Sequence, residues 1–228
     1  MGRVRLDTLL LQRKLVSTRQ EARGLIMAGK VEVAGRIVDK PGAQLKGHEP
    51  VTLLGRRPFV SRGGVKLNHA LEAFGVSADG AVALDIGAST GGFTHCLLTR
   101  GARLVYALDV GRGQLDTSLR SDPRVVVMER VNARYPFSLP QKVDLLTVDV
   151  SFISLEKVLP RGLDHVRDKG LIVALVKPQF EAGRDQVARG GLVRDPTIHG
   201  QVLGGFLLWA IDSGLRFRDL TPSPIESA

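Results

Sequence analysis

The chain has 228 residues, 43% of them hydrophobic and 24% charged, with 26 Gly, 11 Pro and 1 Cys. That gives room for one large domain plus a small appendage, and it excludes disordered, fibrous and disulfide-stapled classes. The net charge of +9 is unevenly spread: residues 1–60 carry 12 Lys and Arg against 5 Asp and Glu, a net +7, and the remaining residues 20 against 18.

The basic first quarter opens with Leu6, Leu9, Leu10 and Leu11 at helical spacing. Ser17 reads as the N-cap of a second helix, with Gln20 completing a capping box and Gly29 supplying the left-handed residue past its end. Arg19 and Arg23 then lie one turn apart on one face. The alternation of Val31, Val33, Ile37 and Val38 around Gly35 and Pro41-Gly42 predicts a hairpin, and a strand at 51–54 closes the unit. A compact basic unit points to nucleic acid, because Lys and Arg displace phosphate counterions. Arg3, Arg5, Arg19, Arg23 and Lys30 are the candidate contacts. An anionic lipid surface is the competing partner, since charge alone does not separate the two. The stretch RRPFVSR at 56–62 reads as the passage to a second domain. The expected division is a basic module over 1–57, a linker over 58–62 and a larger domain over 63–228.

From residue 81 onward apolar strands alternate with helices: AVALDIG, a helix near 91–100, RLVYALDV, RVVVMER, VDLLTVDV, GLIVALVKP and a long helix near 196–213. This pattern predicts an α/β domain with a parallel sheet covered on both faces, whose ligands bind at the carboxyl ends of the strands. The first strand runs into DIGASTGGF at 85–93, where Gly87, Gly91 and Gly92 permit a sharp turn and close approach of a ligand. The spacing departs from the G-x-G-x-x-G of dinucleotide folds. Asp85 would repel a diphosphate but suits an ammonium, held directly or through water, and Asp109 ends the second strand where an acidic group takes ribose hydroxyls. The cofactor read from these residues is S-adenosylmethionine. Asp149 ends the fourth strand and Lys177 the fifth, where it is either an ion-pair partner of Asp149 or an amine at the cleft floor. Lys66, in SRGGVKL, starts the helix before the first strand. These three groups can bind an acceptor hydroxyl and take its proton during methyl transfer, and the pattern does not say which lysine takes it.

The stretch from about 3 to 57, with AGKVEVAGRIVDKPG at 28–42, resembles the S-four RNA-binding domain. Together with SRGGVKL, DIGASTGGF, VDVSFISL and LVKPQFE in this order, it makes nearly the whole chain similar to the TlyA or haemolysin A family. The resemblance implies a small α+β RNA-binding module followed by a Rossmann-like, doubly wound, FtsJ-like methyltransferase domain. It also implies methylation of a cytidine ribose 2′-hydroxyl in ribosomal RNA, with ribosomal RNA or ribosomal subunits as partner. The family's Lys-Asp-Lys-Glu tetrad transfers as Lys66, Asp149 and Lys177, and its cofactor pocket as Asp85, Gly87, Thr90, Gly91, Phe93, Asp109 and Asn132. One departure is visible: family members continue past the SPI motif through a glycine-rich turn to the tetrad glutamate and a final strand pair, whereas this chain stops at SPIESA. Glu226 follows Ile225 too soon to be that glutamate, so the C-terminal strand pair is expected to be missing, a sheet edge exposed and catalytic competence in doubt.

The five histidines lack ligand-like spacing, so no metal is expected. Cys96 falls in an apolar helix and reads as a buried, inert thiol. The segment 180–196 is either a loop that closes over RNA or a solvated one. LIVALV at 171–176 is too short to span a bilayer, and charged residues interrupt the N-terminal Leu run, so a cytoplasmic protein is expected. Two other functions compete with the enzyme. A noncatalytic RNA-binding factor on the same fold would transfer no methyl group, and a membrane-lytic protein would need the long amphipathic segment that this sequence does not display. Oligomeric state is not legible.

Overall fold

The computed structural model describes residues 3–55, 58–183, 186–188 and 190–225. The chain divides into two compact units, Met1–Arg57 and Pro58–Ala228.

In the first unit, α1 (Leu6–Gln12) and α2 (Arg19–Met27) follow a short strand, β1 (Val4–Arg5). The leucine spacing does what the periodicity predicts: Leu6 and Leu10 join Val16, Ala22, Ile26, Val31 and Val33 in one buried cluster. The cap of α2 is Thr18, one residue later than expected. Its hydroxyl accepts from the Glu21 backbone N–H at 3.1 Å, and the Glu21 carboxylate reaches back to the Ser17 N–H at 2.8 Å. Thr18 and Glu21 together satisfy two backbone donors at the helix start, and this fixes the register. Gly29 takes φ +66 past the helix end, as expected. The hairpin of β2 (Val31–Val33) and β3 (Arg36–Ile37) turns through Ala34 and Gly35, both at positive φ, and β5 (Val51–Leu53) pairs with the other side of β2. β1 pairs with β4 (Gln44–Leu45) in a separate ladder.

The second unit begins with packed chain rather than a linker. Phe59 is buried in the core, and the Val60 N–H donates to His95 Nδ1 at 3.2 Å. Arg56 and Arg57, also read as part of the passage, lie outside the described residues. The elements in order are α3 (Arg62–Ala73), β6 (Val82–Ile86), α4 (Gly92–Thr99), β7 (Leu104–Asp109), α5 (Thr117–Arg120), β8 (Val125–Glu129), β9 (Val143–Val148), a 3-10 turn (Leu155–Lys157), α6 (Leu159–Leu163), β10 (Val166–Ala174), α7 (Pro178–Glu181) and α8 (Pro196–Asp212). The five strands form one parallel sheet in the order β10-β9-β6-β7-β8. One core, with Leu67, Leu71, Phe93 and Leu97, covers one face, and another, with Leu84, Leu146, Leu155 and Leu159, covers the opposite face. Chain order reverses on either side of β6, which opens the crevice that such sheets use for ligands at the tips of β6 and β9.

Two features differ from the expected strands. β10 is an irregular edge strand in which only Val173 is fully buried. It ends at Ala174, so Lys177 stands beyond the sheet as the cap of α7, with Pro178 at the first helical position. Cys96 is buried in α4, and burial pushes its thiol up to about 12, so it is protonated and inert at neutral pH. Among the described residues, no helix is long and apolar enough to cross a membrane.

Candidate active site

The floor of the crevice is the glycine loop between β6 and α4. Gly87 has φ +87, and a Cβ there would overlap the Asp149 carbonyl oxygen. The loop and the end of β9 therefore touch backbone to backbone, an approach that only glycine permits. Gly91 has φ +93 and faces Leu115 and Leu119 with no room for a side chain. Gly92 sits against Ser61, Gly63 and Gly64, so the paired glycines of SRGGVKL exist to bring the start of α3 onto the start of α4.

The acidic groups of the expected cofactor pocket divide by location. Asp109 is half-buried at the tip of β7, accepting from the Ser89 N–H at 2.8 Å on one oxygen and from the Gly111 N–H at 2.7 Å on the other. A carboxylate offers about four acceptor positions, so two remain for a vicinal diol. Asp85 does not open onto the crevice. Its side chain is fully buried, accepting from Thr94 Oγ1 at 2.7 Å and Thr147 Oγ1 at 3.0 Å. Burial raises its carboxyl to about 7 against the two hydroxyl donors, and the nearby Asp149 charge adds to the rise. The expected direct or water-mediated contact of Asp85 with an ammonium is not open to this side chain, which is enclosed between the hydroxyls of Thr94 on α4 and Thr147 on β9. Phe93 likewise faces the core, its ring beside Gly63. Thr90 is exposed, and its carbonyl receives the Asp116 N–H at 3.3 Å. Asn132 is exposed and turns its side chain onto the Arg134 N–H at 3.0 Å, the local role of a turn former.

The structure brings Asp149 and Lys177 together. Lys177 Nζ lies 2.6 Å from Asp149 Oδ1 and donates to the Val150 carbonyl at 2.8 Å and to Ser151 Oγ at 2.9 Å. The contact with Asp149 is a close ion pair, and Asp149 Oδ1 is buried beneath the ammonium. Both side chains are mostly buried, 16% exposed for Lys177 and 20% for Asp149. Lys66, on α3, has no hydrogen-bond or ion-pair partner among the described residues. The candidate RNA contacts Arg3, Arg5, Arg19, Arg23 and Lys30 are all exposed on the first unit.

Sequence reasoning missed four residues here. Phe152 is 91% exposed at φ +64, and its ring pairs with Phe180 at 5.1 Å between centroids. Phe180 in turn lies 5.9 Å from Lys177 Nζ. Glu181 Oε1 accepts the Leu155 N–H at 2.9 Å. Three contacts therefore zip the segment after β9 to the segment after β10: the Lys177 cluster, which takes in Ser151, the phenylalanine pair and the Glu181 cap. VDVSFISL and LVKPQFE displayed these residues, but only the fold sets them face to face.

Residues 59–228 match the FtsJ-like methyltransferase family, and residues 4–51 match the S4 domain. The chain belongs to the FtsJ-like methyltransferase family. A relative named 16S/23S rRNA (cytidine-2′-O)-methyltransferase TlyA, from Mycobacterium tuberculosis, is 49% identical over 203 residues, covering 87% of this chain and 76% of the relative. Hemolysin A of Brachyspira hyodysenteriae is 38% identical over 231 residues, covering 99% and 95%. Among solved structures, a hemolysin-named protein from Streptococcus thermophilus is 43% identical with a TM-score of 0.72, covering all of this chain and 84% of the other. This FtsJ-like methyltransferase thus carries an α/β domain after an S4 domain in the chain.

Proposed function

We propose that the chain transfers a methyl group from S-adenosylmethionine to the ribose 2′-hydroxyl of a cytidine in ribosomal RNA, acting on RNA or subunits in the cytoplasm. The observation that carries this reading is the Asp149–Lys177 pair seated against the glycine loop. The names of the relatives agree with it.

The residues fit the cofactor. The positive-φ glycines Gly87 and Gly91 clear the loop of side chains, and Asp109 keeps free acceptor positions for the ribose diol. The buried charge of Asp85 lies beneath the loop that would receive the methionine end. When bound, S-adenosylmethionine supplies an electrophilic methyl group on a sulfonium. The chain's part is to hold the acceptor. The Asp149–Lys177 ion pair receives the ribose hydroxyl and takes up the proton it releases as the oxygen attacks the methyl group, and the ammonium offsets the negative charge that develops on that oxygen. The phenylalanine pair gives an exposed aromatic face next to that hydroxyl, the surface on which an unstacked base rests.

The test is transfer of labelled methyl groups from S-adenosylmethionine to ribosomal subunits. Label should appear at a ribose 2′-oxygen, resist alkaline cleavage, and disappear with Lys177→Ala while that variant still binds the cofactor. Label on a base or on protein, or no transfer by the wild-type chain, would overturn the reading.

A further inference from the structure

The first unit holds a buried carboxylate that methyl transfer does not use. Asp7 lies in the first turn of α1 with no exposed surface, yet its partners are two exposed arginines. Arg5 forks onto it, Nε to Oδ1 at 3.0 Å and Nη2 to Oδ2 at 2.9 Å, and Arg19 Nε donates to the same Oδ2 at 3.2 Å. Thr8 Oγ1 adds a donor to Oδ1 at 3.3 Å. Behind Arg5 the turn passes at Gly42, where even a Cβ would stand 3.2 Å from Nη1. The two guanidiniums therefore stand side by side around one oxygen, and their side chains remain 45% and 57% exposed.

Arg5 already gives each carboxylate oxygen one donor, and Arg19 adds a second to Oδ2, so both guanidiniums hold the buried Asp7 ionised. Arg19 occupies the first position of α2, where a cation opposes the positive end of the helix dipole. The contact with Asp7 offsets that cost, and its result is two guanidiniums held on one carboxylate. Among the described residues each keeps N–H donors without a partner after bonding Asp7: Nη1 of Arg5 and both terminal nitrogens of Arg19. Planar forks of this kind match phosphate oxygens, and holding them in advance removes the rotamer entropy that flexible arginines lose on binding.

We propose that Asp7 is a positioning residue that fixes Arg5 and Arg19 as a paired cradle for a backbone phosphate of folded RNA, an inference that rests on the RNA reading above. Charge counting and preorganisation give opposite signs for Asp7→Asn. Removing a negative charge from a basic unit should tighten RNA binding, whereas releasing the two arginines should weaken it. The experiment is the affinity of the full chain for a labelled ribosomal RNA stem-loop across a salt series, wild type against Asp7→Asn. The cradle predicts a Kd about tenfold higher for the variant and a plot of log Kd against log salt shallower by about one phosphate contact. Equal or tighter binding with an unchanged slope would overturn it, and a change of folding stability alone does not move the slope. Should circular dichroism show Asp7→Asn unfolded, Arg19→Lys keeps the charge without the fork. About fivefold weaker binding then supports the cradle, and wild-type affinity overturns it. If the wild-type chain shows no salt-dependent RNA binding, the RNA reading falls and the cradle with it.

Discussion

Phe152 carries the clearest mark of function on a single residue. A bulky side chain at φ +64, 91% exposed, costs about 1–3 kcal/mol of backbone strain, and burial repays little of it. Replacing it with glycine relieves the strain and forfeits the Phe180 ring contact, worth about 1 kcal/mol. Phe152→Gly should therefore leave the thermal midpoint unchanged or raise it, while kcat/KM for ribosomal RNA falls at least about tenfold, the scale of one lost base-stacking contact. Paired melting curves and kinetics check this, and a lowered midpoint with intact kinetics contradicts it. Asp85 gives a prediction in pH. Its carboxyl, raised from 3.8 to about 7, holds a proton in the folded chain where the unfolded chain has lost it. Across that window stability falls as pH rises, by at most about 1.4 kcal/mol per unit, and the cost is complete above pH 7. Asp85→Asn removes the dependence. Its midpoint in urea should gain on the wild type at pH 8 and show little gain at pH 4, and its cofactor affinity should drop with the buried charge. Asp85 was legible in the sequence as an acid beside a glycine loop, but not as a buried one. Its burial depends on Thr94 and Thr147, which come from α4 and β9.

At the scale of elements, apolar runs and glycine turns were enough to place β6 through β9 and the long final helix within a residue or two. Strand alternation with continuous burial leaves little choice of period. What could not be read was set by tertiary contact. The linker became core because Phe59 tucks under Gly64, and Lys177 left the strand because β10 stops short at the sheet edge. The register of α2 moved by one residue because Thr18 caps the Glu21 N–H while Glu21 takes the Ser17 N–H. The glycines of SRGGVKL show how an element's sequence encodes its neighbour. A Cβ at Gly64 would overlap the Phe59 ring, and one at Gly92 would overlap Ser61 Oγ. Gly64→Ala should thus cost about 1–3 kcal/mol by overpacking and shift α3 away from α4. Because Lys66 lies on that helix, activity should fall further than cofactor affinity. Denaturant midpoints and cofactor titration of the same sample separate the two effects.

For the whole molecule, the basic excess and the candidate catalytic residues lie in different units. The basic excess belongs to residues 1–60, and Asp149, Lys177 and the glycine loop belong to the unit from Pro58. Each unit has its own buried cluster, Leu6 to Val33 in the first and the two faces of the parallel sheet in the second. Among the described residues each cluster is drawn from its own unit, so the second unit is expected to keep its packing when the first is removed. If the first unit supplies affinity through phosphate contacts and the second supplies the chemistry, deleting residues 1–57 should act on binding alone. The shortened chain should hold S-adenosylmethionine as the full chain does, and its KM for ribosomal RNA should rise by about tenfold or more at moderate salt. The salt dependence of methylation should flatten, since fewer counterions are released on binding. At saturating RNA, kcat should return to within a few-fold of the full chain. Steady-state kinetics at two salt concentrations distinguish this from the alternative in which the first unit also shapes the acceptor site, where kcat stays low however much RNA is added.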